Sequence, residues 1–454
     1  MQTFDLIVIG SGSGLEISSD AAERGLSVAV VESGPFGGTC LNRGCIPSKM
    51  LIHSADVVET IRRSELFGIT AEITAIDWDF IVRRASETVD ADADAVEAGN
   101  REHPNITVFK DTARFVDRKT LEVAGERISA ETIVVAAGTR PRVPEIDGLT
   151  EVPFITSDEA LRLPKQPKRL VIAGAGFVAA ELAHFFGALG TEVTIVHRGP
   201  RLLRQEDEDV SARFTDVYRH RFQMILDARI NSVRLRGEEI VLDVASDDKE
   251  NTLVTDALLV AVGRVPNTDT LNVATTGVAV DEAGFVKVDE YLETNVPGIW
   301  ALGDIVGRYL LKHSANLEAA HVAHNIFNPE AKAAVDYHAM PHAVFASPQV
   351  ASVGLTEQAA REHSVPFVTG SYNYSDTAYG SSIEDDVGFV KVLAHEETRE
   401  ILGCHIIGSE ASILIQEVAN AMRTREATSA ITQAIYVHPA LPEVVQRAFG
   451  TLVA

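Results

Sequence analysis

"PKRLVIAGAGFVAAELAHFFGALGTEVTIVHR", Pro167 to Arg198, reads as an apolar strand, a glycine turn, a small-residue helix and a second apolar strand. Gly174 and Gly176 shape the turn, and Ala179 takes the third small position. A unit of this kind aims the free N–H groups of a helix N-terminus at an anion, which is how a dinucleotide pyrophosphate is held. The same order opens the chain. "FDLIVIG", Phe4 to Gly10, runs into "SGSGL", and "LSVAVVE" ends at Glu32. Gly10, Gly12 and Gly14 form this first turn, although the third glycine of the usual pattern falls at Leu15. Two such folds in one chain imply two dinucleotides.

The two strands end differently. Glu32 stands 22 positions after Gly10, where a carboxylate accepts from ribose hydroxyls. The second fold has His197 and Arg198 at that place, with Arg204 six residues on. A carboxylate there would repel a 2′-phosphate, whereas two guanidiniums would clamp it. The second dinucleotide is therefore expected to be NADPH.

The rest of the 454 residues bounds the answer. The length suits two to four domains, and 46% hydrophobic with 23% charged residues is a globular composition. No apolar run of about 18 residues indicates a membrane span. The first residues enter a strand pattern at once, leaving no room for a signal peptide, so a cytoplasmic protein is expected. Asp and Glu number 65 against 40 Lys and Arg, a net charge of −25, which makes nucleic acid an improbable partner. Ten of those 40 are Lys and 30 are Arg. The acid-rich, Arg-over-Lys balance resembles proteins of halophilic archaea, in which molar salt screens carboxylate repulsion.

Three cysteines argue against a disulfide-stapled secreted fold. Cys40 and Cys45 lie close together in "GGTCLNRGCIPSK", Gly37 to Lys49, and such a pair is metal-binding or redox-active. A metal would need two further ligands at metal spacing, and Cys404 is far off in a strand where it reads as core. No metal is expected.

Segment edges follow from Pro- and Gly-rich exits. "TIVVAAGTRPRVPEIDG", Thr132 to Gly148, and "LLVAVGRVPN", Leu258 to Asn267, each read strand, small-residue turn, exit. "TNVPGIWALGDI", Thr294 to Ile305, is a buried strand ending in Gly-Asp. From about Tyr337 the character changes to strands and helices without a dinucleotide turn. The expected organisation is an FAD-binding domain over 1–148 with a helical insert at 51–101, an NAD(P)H-binding domain over 149–267, a central domain over 268–336 and an interface domain over 337–454.

Taken in order, these motifs resemble the pyridine nucleotide–disulfide oxidoreductases, the FAD-dependent glutathione reductase and dihydrolipoamide dehydrogenase kind. "GGTCLNRGCIPSK" looks like their redox-disulfide motif, "TNVPGIWALGD" like their second FAD motif, and "HPALPEVV" like their C-terminal His–Glu signature at His438 and Glu443. The resemblance implies an α/β fold of two Rossmann-like dinucleotide-binding domains plus a C-terminal α+β dimerisation domain. It implies FAD held by Gly10, Gly12, Gly14, Glu32, Gly38, Thr39, Lys49, Gly138 and Asp304, with Asp304 on the ribityl chain. NADPH would be held by Gly174, Gly176, Phe177, Glu181, Arg198, Arg204 and Gly263, with Phe177 as an aromatic lid over the nicotinamide pocket. Cys45 would be the flavin-side sulfur and Cys40 the interchange sulfur, both acidified by the helix start and nearby charge. Lys49 and Glu181 match the pair near the flavin. His438 would protonate the departing thiolate, oriented by Glu443, and would act across the interface of a homodimer.

The implied substrate is a small-molecule disulfide. "YLLKHSANLEAAHVAHN", "DTAYG" and the "GSGSGL" turn look closest to the mycothione reductases, while the composition points to a haloarchaeal relative acting on the disulfide of γ-glutamylcysteine. Arg43, Lys312 and His313 are candidates for its carboxylates; His321 and His324 read as helix packing. Dihydrolipoamide dehydrogenases normally carry an acidic residue where His197 stands. Mercuric and large thioredoxin reductases need a C-terminal cysteine pair that "AFGTLVA" lacks. A non-enzymatic flavoprotein carrier would not need Cys40, His438 and Glu443 together.

Overall fold

Near-continuous runs of Val, Ile and Leu, such as "LIVI" and "VAVV", cannot alternate a wet face with a dry one, so they pair in parallel sheets buried on both sides. In the computed structural model, which describes residues 1–246 and 249–452, they do so in two compact units that interleave along the chain. One unit takes Met1–Ser48, Val82–Arg142 and Gly263–Tyr337; the other takes Lys49–Ile81, Val143–Val262 and the chain from His338 onward.

In the first unit, counted over the described residues, seven strands form one sheet. Its order is Ile106–Phe109, Val28–Val31, Gln2–Ile9, Glu126–Val135, Thr120–Val123 and Arg114–Asp117, with Ile299–Ala301 also pairing with Glu126–Val135. The four strands around Gln2–Ile9 and the strand Ile299–Ala301 pair in parallel, and the last two are antiparallel. Successive side chains fill two separate cores, as the twofold repeat of a strand requires. Ile7, Ile9, Val31 and Ile133 pack on one face. Leu6, Val8, Val30 and Val134 pack on the other, against Ile17 of the helix Gly14–Glu23.

The second unit holds a parallel sheet of the strands Gln223–Ile225, Glu192–Val196, Arg169–Ala173 and Ala257–Val260. The helix Phe177–Ala188 joins Arg169–Ala173 to Glu192–Val196, and its residues Ala179 to Phe186 are all buried. An antiparallel layer of Ala228–Arg236, Glu239–Ser246 and Lys249–Thr255 follows. The C-terminal part is an antiparallel sheet, ordered Pro341–Val344, Gln349–Gly354, Ile401–Gly408, Phe389–His395, Phe367–Asn373. The helices Ala411–Arg423 and Pro442–Gly450 cover it with Leu414, Val418, Val444 and Phe449. Cys404 is fully buried in this core, as its strand pattern foretold, and burial pushes its thiol up.

The stretch read as a helical insert over 51–101 is helical at its two ends only. The helices Cys45–Arg62 and Trp78–Glu102 flank a short 3-10 turn, Ser64–Phe67, and a segment without regular structure. Polar composition does not distinguish a helix from a solvated connection, and here it covers both. Among the described residues, no helix is long and apolar enough to cross a membrane.

Candidate active site

In the first unit the glycine turn and the cysteine loop are built against each other. A Cβ on Gly38, whose φ is +65°, would lie 2.9 Å from the Gly12 Cα, so only glycine permits this approach. Ser11 ties the same two segments: its carbonyl and its Oγ both accept from the Gly37 N–H at 3.1 Å. Thr39 and Cys40 follow, half-buried, in the short helix Gly38–Arg43. Asn42 holds the loop closed. Its Nδ2 donates to the carbonyls of Pro35, Phe36 and Gly38 at 3.2, 2.8 and 3.0 Å. Sequence reasoning passed over Asn42; a buried amide between two reactive cysteines was the available signal.

Gly44 breaks the helix, and Cys45 opens the next one, Cys45–Arg62, which carries Lys49 in its second turn. Neither cysteine is in a disulfide; Cys40 is half-buried and Cys45 exposed. The hydrogen bond between them and burial together push the Cys40 thiol well above its ordinary range, with the Lys312 ammonium pulling the other way. The acidified thiol expected from the helix start is therefore not what Cys40 shows. A six-residue helix supplies little dipole, and an adjacent sulfur holds the proton between the pair.

The groups expected to hold FAD fit a polyhydroxylated dinucleotide. The space where a Gly12 Cβ would stand is open for 4 Å, leaving the turn's backbone accessible to a pyrophosphate. Glu32 accepts from Ser11 N–H and Oγ at 2.9 and 2.7 Å and from Gly34 N–H at 2.7 Å, which fixes its carboxylate at the end of its strand. Asp304 Oδ2 accepts from Thr139 Oγ1 at 2.9 Å, and Arg264 Nε donates to that same hydroxyl at 2.7 Å. Burial raises the Asp304 carboxyl. Its second oxygen has no partner among the described residues, so it can accept from a polyol hydroxyl. Gly138 precedes Thr139 with φ +63°. Thr139 and Arg264 were not read from the sequence, because nothing links positions 125 apart until the sheet is folded.

Arg43, a candidate for substrate carboxylates, has its guanidinium beside Gly34 and Glu32. Lys312 is held by Ser13 Oγ at 2.8 Å and by Asn316 Oδ1 at 2.6 Å. His321 and His324 bond to backbone carbonyls of Leu317 and Ala331, consistent with helix packing. His313 lies on the same helix, Lys312–Phe327.

In the second unit, Gly174 has φ +132°, and a Cβ there would strike the Ala261 carbonyl oxygen at 2.2 Å. Gly176 caps the helix Phe177–Ala188 with no side-chain bond, leaving its first N–H groups free for an anion. Gly263, with φ +110°, belongs to the first unit. Past the strand Glu192–Val196, His197 is half-buried while Arg198 and Arg204 are exposed. Burial, then Arg204, then Arg198 hold the His197 imidazole below its ordinary range, so it stays neutral between two cations. Neither arginine makes an ion pair among the described residues. Two uncommitted guanidiniums around a neutral imidazole suit a phosphate monoester.

Lys49 Nζ lies 2.9 Å from each oxygen of Glu181, which is 9% exposed. The Phe345 N–H donates to Glu181 at 2.9 Å, and the Lys49 ammonium sits 4.5 Å over the Phe345 ring. Phe177 stacks on His342, with centroids 5.5 Å apart, and His342 Nε2–H donates to buried Glu206 at 2.7 Å. Phe345, His342 and Glu206 were not foreseen.

His438 is exposed, and its Nδ1–H donates to Glu443 at 3.0 Å. Glu443 also accepts from the Ala440 N–H at 3.1 Å. These bonds hold its carboxyl below the usual range, so it stays ionised. Nε2 has no partner among the described residues. The carboxylate thus orients the ring and leaves its second nitrogen open to solvent. Among the described residues, no group of three His, Cys, Asp or Glu could hold a metal.

Comparison with known proteins agrees with this geometry. A family model described as pyridine nucleotide-disulphide oxidoreductase matches residues 4–326, and the model of that family's dimerisation domain matches 340–449. The chain is 40% identical to the mycothione reductase of Mycobacterium tuberculosis, over 99% of each chain. It is 33% identical to the glutathione reductase of Burkholderia cepacia, over 97% of each. Among solved structures it is similar to the HOCl-induced flavoprotein disulfide reductase RclA from Escherichia coli, with a TM-score of 0.87, 27% identity and 99% of each chain covered.

Proposed function

This chain belongs to the pyridine nucleotide-disulphide oxidoreductases, and from that membership we propose that it reduces a low-molecular-weight disulfide at the expense of NADPH, with bis-γ-glutamylcystine as the substrate. The observation that carries the reductase reading is that one chain holds both a reduced cysteine pair, Cys40 and Cys45, and an oriented His438–Glu443 dyad. Arg198 and Arg204, which make no ion pair among the described residues, support NADPH over NADH. The acid-rich, Arg-over-Lys composition supports a haloarchaeal setting and hence γ-glutamylcysteine. The 40% identity to a mycothione reductase favours mycothione disulfide as the second reading.

Bound FAD would supply the two-electron link between a reduced nicotinamide and the cysteine pair. Gly12, Glu32 and Asp304 would hold it, and Gly176, Arg198 and Arg204 would hold NADPH. The remaining chemistry belongs to this chain. Cys40 keeps its proton because Cys45 lies beside it, so a base must remove that proton before Cys40 can attack. His438 of a second copy takes it, and the resulting imidazolium is stabilised by Glu443. The Cys40 thiolate attacks one substrate sulfur, the substrate S–S bond breaks, and a mixed disulfide forms. The departing thiolate recovers the proton from His438. Cys45 then attacks the Cys40 Sγ, expelling the second thiolate, which takes the Cys45 proton. Two substrate thiols leave, and Cys40–Cys45 is now a disulfide, having given two electrons.

A panel of bis-γ-glutamylcystine, mycothione disulfide, glutathione disulfide and lipoamide, assayed in molar KCl with NADPH and with NADH, tests the proposal. Highest kcat/KM for bis-γ-glutamylcystine with NADPH is expected. A preference for mycothione disulfide replaces the substrate, and turnover of lipoamide with NADH alone removes the proposal.

A further inference from the structure

Between the helices Ser429–Thr432 and Pro442–Gly450 the chain runs without regular structure, and this segment carries His438. Its side chains alternate. Ile435 and Val437 are 102% and 78% exposed, while Tyr436 turns inward onto the core of the C-terminal sheet. The segment is fastened at three places. Gln446 Nε2 donates to the Ala434 carbonyl at 3.1 Å, Tyr436 OH donates to Glu417 Oε2 at 3.0 Å, and Glu443 takes His438 and Ala440. His438 stands two positions after Tyr436, about 7 Å of extended chain, so displacing the ring displaces the imidazole.

Glu417 comes from the helix Ala411–Arg423 and is placed unusually for a carboxylate. Its Oε1 is buried with no hydrogen-bond partner among the described residues, and its only side-chain bond there is the one to Tyr436. The groups around it do little to hold its charge. The strand Ile401–Gly408 presents the buried thiol of Cys404, while the neighbouring His405 is engaged with the Leu355 carbonyl. The strand Gln349–Gly354 carries no titratable side chain, and His342 of Pro341–Val344 is bonded to Glu206. Among the described residues no cation acts on the carboxyl.

We propose that Glu417 is a positioning residue for His438, acting through Tyr436. It fixes the segment from inside the core while Glu443 fixes the imidazole from the following helix. This rests on the reading of His438 as the proton carrier. The arrangement also makes the anchor sensitive to pH. Burial pushes the Glu417 carboxyl up to about 7. Above that value the ionised carboxylate accepts the tyrosine O–H strongly; below it the neutral acid accepts weakly. The anchor therefore tightens as pH rises through the range in which a histidine exchanges its proton.

The test uses the FAD-loaded enzyme, with the two half-reactions followed separately: flavin reduction by NADPH, and reoxidation by bis-γ-glutamylcystine, with glutathione disulfide as a second oxidant. Tyr436→Phe removes the anchor and should slow reoxidation about ten-fold while leaving flavin reduction unchanged, because a small displacement of a proton donor costs that much. Glu417→Gln keeps a neutral acceptor. Its reoxidation rate should match the wild type at pH 6, fall about three-fold below it at pH 8, and lose the inflection near pH 7. His438→Ala is the reference. Slow reoxidation in His438→Ala with wild-type rates in Tyr436→Phe overturns this inference alone. Normal reoxidation in His438→Ala overturns the reading of His438 and the inference with it. Equal slowing of both half-reactions in Tyr436→Phe, or a wild-type pH profile in Glu417→Gln, also overturns it; the Gln variant decides the matter should Tyr436→Phe fail to fold.

Discussion

The Lys49 ammonium is shared evenly by the two oxygens of Glu181, at 2.9 Å from each, and Glu181 in turn accepts the Phe345 N–H. The carboxylate is nearly buried and the lysine side chain is 35% exposed, so the pair lies between a surface salt bridge and a fully desolvated one.

Replacing Glu181 separates charge from hydrogen bonding. Glu181→Ala removes the ammonium's carboxylate partner and the acceptor of a backbone N–H and should cost about 2–4 kcal/mol of stability. Glu181→Gln keeps an acceptor for Phe345 and should cost about half as much. Denaturant midpoints of the two variants, measured side by side, check the order; equal losses would mean that the N–H bond contributes nothing.

Nucleotide preference should follow the two free guanidiniums. Arg198→Leu with Arg204→Leu should raise the KM for NADPH by about one to two orders of magnitude, since at these exposed positions the two charge-assisted contacts together contribute about 1.5–3 kcal/mol. Use of NADH should hardly change. Steady-state kinetics with both nucleotides decide it, and a wild-type enzyme that favours NADH refutes the assignment.

The division of work proposed for the two sulfurs can be tested by trapping. In Cys45→Ser the mixed disulfide on Cys40 cannot be resolved and should accumulate as a one-to-one substrate adduct, visible by intact mass after reaction of the reduced protein. Cys40→Ser should carry no adduct. The reverse pattern would exchange the roles. Because Cys45 and burial hold the Cys40 thiol up, alkylation of Cys40 in the wild-type dithiol should accelerate as pH rises through the alkaline range.

The net charge of −25 should make stability depend on salt. The screening length falls from about 10 Å at 0.1 M to about 3 Å at 1 M, so repulsion among surface carboxylates is largely removed in molar KCl. The melting temperature should rise steadily across that range. An unchanged value would count against the halophilic setting, and with it against γ-glutamylcysteine as the thiol.

How far the sequence reached can be judged residue by residue. Both glycine turns, the strand ends at Glu32 and Arg198, the cysteine loop and the His438–Glu443 pair were legible before folding, because each is local. A strand's period, a turn's need for glycine and a helix's capping groups are fixed by neighbours a few positions away. Spacing could also set Lys49 one turn beyond Cys45, on the same helix.

What the sequence left undecided is what depends on partners far along the chain. The thiol of Cys40 holds its proton because of where the Cys45 sulfur comes to rest, and no helix-start rule contains that distance. Arg43 was chosen from its place in the loop, and only the fold sets its guanidinium beside Gly34. Thr139 and Arg264 converge on Asp304, Phe345 on Glu181, and Glu417 on Tyr436, each across a gap that only the sheets close. Burial and long-range hydrogen bonds set protonation and position, and both are properties of the packed chain. Residue types and spacing therefore determined which groups this protein carries, while the tertiary structure decided which of them are held and what charge they bear.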